Sequence, residues 1–148
     1  MLTTDISALQ EDLHSDLEYI LTHYGYNSGR TPDGVVFIHI PQVPSHVIRQ
    51  SIAENLGYFV YPPHGLLYLS AVLENNGVSS RIADLNRSVL TAGQDGGKDI
   101  TSVWQAEVEE AVSAFEHPLV AISFMFDSTR AQLNEVMAFV KKTFPCRM

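Results

Sequence analysis

Short apolar runs alternate with longer amphipathic stretches along this chain, a pattern typical of an α/β protein. The apolar runs predict strands at Val35–Ile40 and 119–125, and the short stretch 79–84, which follows the Gly77 helix stop, predicts another strand between them. The run 119–125 is apolar at positions that would face both sides of a sheet, as in the interior of a parallel sheet. We therefore predict a parallel sheet whose strands are joined by helices.

Helices are predicted in the stretches between and after these strands. Residues 63–76 carry so little polar surface that we expect a helix buried all round, between the sheet and another layer, and ended by Gly77. Amphipathic helices are predicted at 100–115 and from Thr129 onward. The stretch from Asn86 to Asp99 is assigned no element, and its glycine-rich part, 93–97, is expected to be mobile.

Three strands are joined by right-handed crossovers, and in a doubly wound sheet of flavodoxin type their order would be 2-1-3, a partial flavodoxin-like or Rossmann-like parallel sheet. Residues 5–24 form one further apolar stripe, an amphipathic helix that ends at Gly25 and precedes a turn-rich linker. The predicted division is thus 1–33, helix and linker, and 34–148, an incomplete α/β domain. Strand 119–125 would lie at an edge despite its interior-like sequence, so we interpret the chain as the front part of a larger protein.

Composition narrows the classes of partner. The chain has 148 residues and a net charge of −8, and no lysine or arginine cluster, which argues against nucleic acid and anionic membranes as partners. Its one cysteine, Cys146, excludes an internal disulfide and a multi-cysteine metal site within these residues. No apolar stretch is long enough to span a bilayer, and we expect a cytoplasmic protein.

The stretch from Pro62 to Gly77, PPHGLLYLSAVLENNG, is followed by IADLN at 82–86. Together they resemble the N-terminal cobalamin-binding domain of cobalamin-dependent radical SAM enzymes. Val120–Met125 and the helix after it resemble the third strand and helix of that domain, so the resemblance covers roughly residues 34–145. It implies a cobalamin-binding, and hence metal-binding, module of a methyltransferase-like radical enzyme.

The resemblance also implies where the cofactor would lie. Gly65 matches the glycine of the family fold's D-x-H-x-x-G motif, but the histidine and aspartate positions then fall on Pro62 and Val60, neither of which can do that work. His64 remains an alternative lower ligand of cobalt. Ser123–Met125 matches the S-x-L motif beside the cofactor's nucleotide tail. The implied cofactor-binding residues are Pro62, Pro63, His64, Gly65, Leu66, Ser123, Phe124 and Met125.

Two further family motifs are not found in these residues. The G-G motif would lie beyond Met148, and the C-x-x-x-C-x-x-C motif, which holds an iron–sulfur cluster and S-adenosylmethionine, is assigned to a missing downstream domain. We therefore expect no complete active site, no catalytic residue and only weak cobalamin binding here. The expected protein partner is the missing C-terminal domain, or a second copy paired through strand 119–125.

Plainer interpretations remain for the same residues. Gly65 and the proline pair also suit an ordinary helix start, and Ser123 suits a packing position. Asp84 is favoured as a cap of the following turn over a contact to a ribose or phosphate. His39, His46 and His64 match no structural zinc spacing, so no metal site is predicted from them. The alternative function is a non-catalytic flavodoxin-like domain that binds another ligand or a protein.

Overall fold

A computed structural model of the chain describes residues 32–43, 48, 62–95, 99–125 and 127–144. The predicted helix 5–24 and the residues Val60, His46 and Cys146 lie outside this description. In chain order the elements are β1 (Gly34–His39), α1 (His64–Asn75), β2 (Ser80–Asp84), α2 (Leu85–Gln94), α3 (Ile100–Ser113), β3 (Pro118–Ser123), a 3₁₀ turn (Asp127–Thr129) and α4 (Arg130–Thr143). Among these helices none has the length and apolar character needed to cross a membrane.

The three strands form one parallel sheet in the order β2-β1-β3, which confirms the predicted fold class and strand order. β1 is the central strand. Its residues from Val35 to His39 pair with β2, and its whole length from Gly34 pairs with β3. Val35, Val36 and Ile38 are all buried, which explains why the β1 sequence is apolar on both faces.

The hydrophobic core lies on the face of the sheet that carries Val36 and Ile38. Side chains from α2, α3 and α4 pack against this face. Trp104 of α3 is 1% exposed, and its ring meets Phe139 of α4 edge to face, with centroids 5.2 Å apart. The buried apolar side chains that the helices contribute to this core are Leu85, Val89, Trp104, Val108, Ala111, Val112, Val136 and Val140.

α1 lies on the opposite face, where the Ser70 and Ser80 hydroxyls form a hydrogen bond of 2.6 Å. The prediction that this helix is buried all round is wrong, because α1 contains no buried residue. Four of its large apolar side chains are exposed, Leu67, Tyr68, Leu69 and Val72, and Tyr68 is the most exposed at 72%. Among the described residues α1 is the only helix on this face, so no second layer covers its outer side.

α1 ends as predicted at Gly77. This glycine has a φ of +78°, a conformation that disfavours residues with a side chain. The Gly77 N–H donates to the Glu74 carbonyl, and the Val78 N–H donates to the Leu73 carbonyl. These two bonds form a Schellman motif, which satisfies carbonyls that the helix end would otherwise leave free.

The sequence prediction missed α2. Asp84 caps this helix, since its carboxylate accepts a hydrogen bond from the Arg87 N–H at 3.1 Å. The predicted capping role of Asp84 is therefore confirmed, although the capped element is a helix and not a turn. Polar residues are frequent in the segment, and one of them, Asn86, is buried. Gly93, which was expected to be mobile, lies inside the helix and is buried.

Asp33 ties the start of β1 to the turn before β3. Its two carboxylate oxygens accept hydrogen bonds from the Glu116 and His117 N–H groups, at 2.7 and 2.9 Å. Desolvation, the largest single influence, raises the pKa of Asp33, but these hydrogen bonds and the nearby His117 charge together lower it below its ordinary value. The ionised carboxylate therefore favours this connection between the two strands.

Candidate functional site

The carboxyl ends of β1 and β3 border a cleft of about 600 Å³, which we call the β1–β3 cleft. His39 ends β1 and Ser123 ends β3, and the two residues are partners in the sheet register. Pockets that bind small ligands commonly have volumes of about 300–1,000 Å³. The cleft is lined by His39, Gln42, Pro62, Pro63, His64, Gly65, Leu66, Tyr68, Leu69, Ser123 and Met125.

This position follows from the strand order. The chain leaves the carboxyl end of β1 toward α1 on one face of the sheet, and it leaves the carboxyl end of β3 toward α4 on the other face. The two departing connections diverge at the carboxyl ends of β1 and β3, which makes this a topological switch point. Ligands of open parallel sheets bind in the crevice at such a point.

The first turn of α1 forms one wall of the cleft. Pro63 precedes the helix and has no side-chain group that could cap it, while the His64 N–H donates to the Pro62 carbonyl at 2.8 Å. A Cβ atom added to Gly65 would meet no atom within 4 Å. The packing of the chain therefore does not require a glycine at position 65. The absence of a side chain at Gly65 keeps this part of the cleft open.

The lining of the cleft is mostly apolar, with a few polar groups. Among its lining residues there is no carboxylate; the polar groups are the two imidazoles of His39 and His64, the Gln42 amide, and the Ser123 and Tyr68 hydroxyls. The Nδ1 atom of His39 is buried and has no hydrogen-bond partner among the described residues. A mainly apolar cleft with a few convergent polar groups is the usual form of a cofactor or small-molecule site.

The structure brings seven of the eight predicted cofactor-binding residues to this cleft. The exception is Phe124, which does not line it and is 42% exposed. The prediction did not include four lining residues, His39, Gln42, Tyr68 and Leu69. The last two follow Gly65 by three and four positions, which is the spacing of one helix face and could have identified them.

A smaller cleft of about 390 Å³ lies at the carboxyl end of β2. Asp84 and Arg87 line it, and Pro62 and Pro63 line both this cleft and the β1–β3 cleft. The Asp84 carboxylate is used to cap α2. Within the described ranges no three His, Cys, Asp or Glu side chains are grouped so that they could hold a metal ion.

Glu107 of α3 is half-buried against α2, where the Ser88 hydroxyl donates a hydrogen bond to it. Burial raises the pKa of Glu107 above its ordinary value of 4.5, and the negative charges of Asp84 and Glu110 raise it further. A hydrogen bond from the Asp84 backbone and the positive charge of Arg87 lower this pKa, but their effects are smaller in sum. The folded chain therefore holds this proton to a higher pH than the unfolded chain does. Stability that comes from the protonated form is lost as the pH rises through the folded pKa.

We expect Glu107→Gln to stabilise the fold at neutral pH, because glutamine can still accept the Ser88 hydrogen bond and carries no charge. The gain should fade as the pH falls through the raised pKa, and it should be small below 4.5, where glutamate is protonated in both states. Melting temperatures of both proteins across this pH range test it. A neutral-pH melting temperature lower in the variant than in the parent contradicts the interpretation, and Glu109→Gln, at an exposed position on α3, is the control.

No known protein family, curated protein or solved structure matches this chain. The features of this chain that bear on its function are therefore the geometry of the β1–β3 cleft and the motifs that border it.

Proposed function

We propose that this chain is a cobalamin-binding module of a cytoplasmic, methyltransferase-like radical SAM enzyme. The observation that supports it is the convergence of Pro62–Leu66 and Ser123 on one cleft at the switch point of the sheet. These two stretches are almost 60 positions apart in sequence, and the motif resemblance assigned both to the same cofactor. The cysteine cluster motif and the S-adenosylmethionine site belong, in this proposal, to another part of the parent enzyme.

The cleft fits part of such a cofactor. Its volume of about 600 Å³ suits the nucleotide tail better than the much larger corrin ring. Open space at Gly65 and the unpartnered Nδ1 of His39 both favour a bound group at this position. When bound, cobalamin would supply methyl-transfer chemistry. The residues of this chain would hold and orient its tail through the α1 wall and the Ser123 hydroxyl.

Side chains that fill the cleft should weaken cobalamin binding. Gly65→Val adds atoms to an open part of the cleft, and Ser123→Leu adds them at the end of β3. Overpacking typically costs about 1–3 kcal/mol, and about 1.4 kcal/mol corresponds to a tenfold change in affinity. We therefore expect dissociation constants for hydroxocobalamin, measured by equilibrium dialysis, to rise about tenfold in each variant.

The matched control is Ser113→Leu, the same substitution at an exposed position at the end of α3. It should bind hydroxocobalamin like the parent. If both cleft variants fold and retain the parent's affinity, the cofactor does not bind in this cleft. If the parent itself does not bind hydroxocobalamin, the proposed function is wrong.

The second candidate is a non-catalytic flavodoxin-like domain that binds a protein or a different ligand. The exposed apolar side chains of α1 support it, because contiguous apolar surface of this kind often marks a contact site. Leu67, Tyr68, Leu69 and Val72 are between 39% and 72% exposed. Absence of cobalamin binding in the experiment above, with the fold intact, would favour this candidate.

A further inference from the structure

His39 is the last residue of β1, and its surroundings differ from those of the rest of the strand. The strand residues before it are the apolar run Val35–Ile38. Ser123 on one side and Asp84 on the other are its partners in the sheet register. Because partners in register point to the same face of a sheet, all three side chains project to the face that carries α1.

The hydrogen bonding of the His39 imidazole is incomplete among the described residues. Its Nδ1 atom is buried, and it neither accepts nor donates a hydrogen bond within the described part of the chain. The neighbouring carboxylate, Asp84, accepts from the Arg87 N–H at the start of α2. A buried polar atom without a partner is unfavourable, so such atoms in folded proteins call for an explanation such as a missing ligand.

His39 belongs to the lining of the β1–β3 cleft. Gln42, His64 and Ser123 line the same cleft as His39 and form its polar part, and the remaining lining residues are apolar apart from the Tyr68 hydroxyl. A ligand with an apolar body and a hydrogen-bonding group can satisfy both parts when that group lies toward these polar side chains. The apolar walls alone would not fix its orientation.

We propose that His39 is the polar anchor of the β1–β3 cleft, and that its Nδ1 hydrogen-bonds to the bound ligand. This inference rests on the proposed function, since the ligand is the same cobalamin tail. His39 holds and orients that ligand through a hydrogen bond and does not coordinate cobalt in this proposal. Without a ligand this atom has no hydrogen-bond partner among the described residues, which is unfavourable for the unliganded fold.

The experiment uses three substitutions at one position. His39→Leu removes both ring nitrogens and replaces the imidazole with an apolar side chain of similar size. His39→Asn retains a polar atom near the position of Nδ1, whereas His39→Gln retains one near the position of Nε2. Equilibrium dialysis with hydroxocobalamin gives the dissociation constants, and thermal unfolding without ligand gives the stability of each protein.

We expect His39→Leu to weaken hydroxocobalamin binding about tenfold or more, a loss of about 1.4 kcal/mol or more. We expect His39→Asn to restore most of that affinity, and His39→Gln to restore less. Without ligand, His39→Leu should melt at the same temperature as the parent or higher, because it removes an unsatisfied buried group. A residue with a purely structural role would instead lower the melting temperature.

The other outcomes separate this inference from the proposed function. If the parent binds and His39→Leu binds equally well, the anchor role is wrong while the proposed function stands. The anchor role is also wrong if His64→Leu weakens hydroxocobalamin binding and His39→Leu does not. A melting temperature of unliganded His39→Leu below that of the parent contradicts the anchor role as well. If the parent does not bind hydroxocobalamin, the proposed function and the anchor role fail together.

Discussion

Gly34→Ala is expected to destabilise this fold strongly. Among the glycines whose surroundings the structure defines, Gly34 is the one whose exchange for alanine should cost most. A Cβ atom at Gly34 would lie 2.2 Å from Cε1 of Phe115, and two other ring atoms of Phe115 would be within 2.6 Å. Phe115 packs against the core, so its ring can yield only by giving up that burial. Overpacking of this kind costs about 1–3 kcal/mol, a large part of the 5–15 kcal/mol by which typical domains are stable.

Denaturant unfolding of the variant measures this loss, and Gly65→Ala is the matched control. The control places the same Cβ atom in open space within a helix, where alanine is favoured over glycine by up to about 1 kcal/mol, so it should unfold at an equal or higher denaturant concentration. Combining Gly34→Ala with Phe115→Ala should cost less than the sum of the single changes. Equal stability of Gly34→Ala and the parent would show that Phe115 moves without cost.

Self-association through β3 is the second large effect that we expect. β3 pairs with β1 on one side, and within the described ranges no strand pairs with its other side. Leu119 is 37% exposed and Met125, just beyond the strand, is 74% exposed. An unpaired, uncharged and apolar edge is a template for pairing with another chain, so dimers or larger species should appear in light scattering.

A charge on this edge should reverse the association. Ala121→Lys places a lysine in the middle of β3, on the same face of the sheet as Leu119, and charged edge residues oppose edge-to-edge pairing. Ala106→Lys is the same substitution at an exposed position on α3 and should associate like the parent. A parent protein that is monomeric at all concentrations tested would contradict the proposal for this edge. A monomeric Ala106→Lys would show that added charge alone causes the effect.

The sheet could be predicted from sequence because its signal is local. Val35–Ile38 and Leu119–Ile122 are uninterrupted apolar runs, and short runs of this kind in an α/β pattern indicate parallel strands whatever surrounds them. The order 2-1-3 is that of a doubly wound sheet of flavodoxin type, in which right-handed crossovers lie on both faces. The cleft residues at the start of α1 and the end of β3 were assigned from the motif resemblance.

The errors have a different origin, because they concern what surrounds each element. The apolar composition of α1 predicted burial, but burial requires a neighbouring layer, and Leu67, Tyr68 and Leu69 have none within the described residues. α2 was missed although Leu85, Val89 and Ala92 form a buried apolar stripe at helical spacing, because the glycine-rich stretch 93–97 was interpreted as part of a mobile loop. His39 could not be separated from the other histidines, since only the structure shows that its Nδ1 is buried and unpartnered.

The carboxylate of Asp33 bonds to residues 83 and 84 positions later in the chain, and this separation has a consequence for the order of folding. During synthesis β1, α1 and β2 emerge well before β3, and loops this long close slowly compared with local contacts. The pairing of β1 with β2 can therefore precede the pairing of β1 with β3. Since Ser123 and Met125 line the β1–β3 cleft, the cleft of a nascent chain is incomplete until β3 has joined β1. A ligand that needs both walls of this cleft would therefore bind only after these two strands have paired.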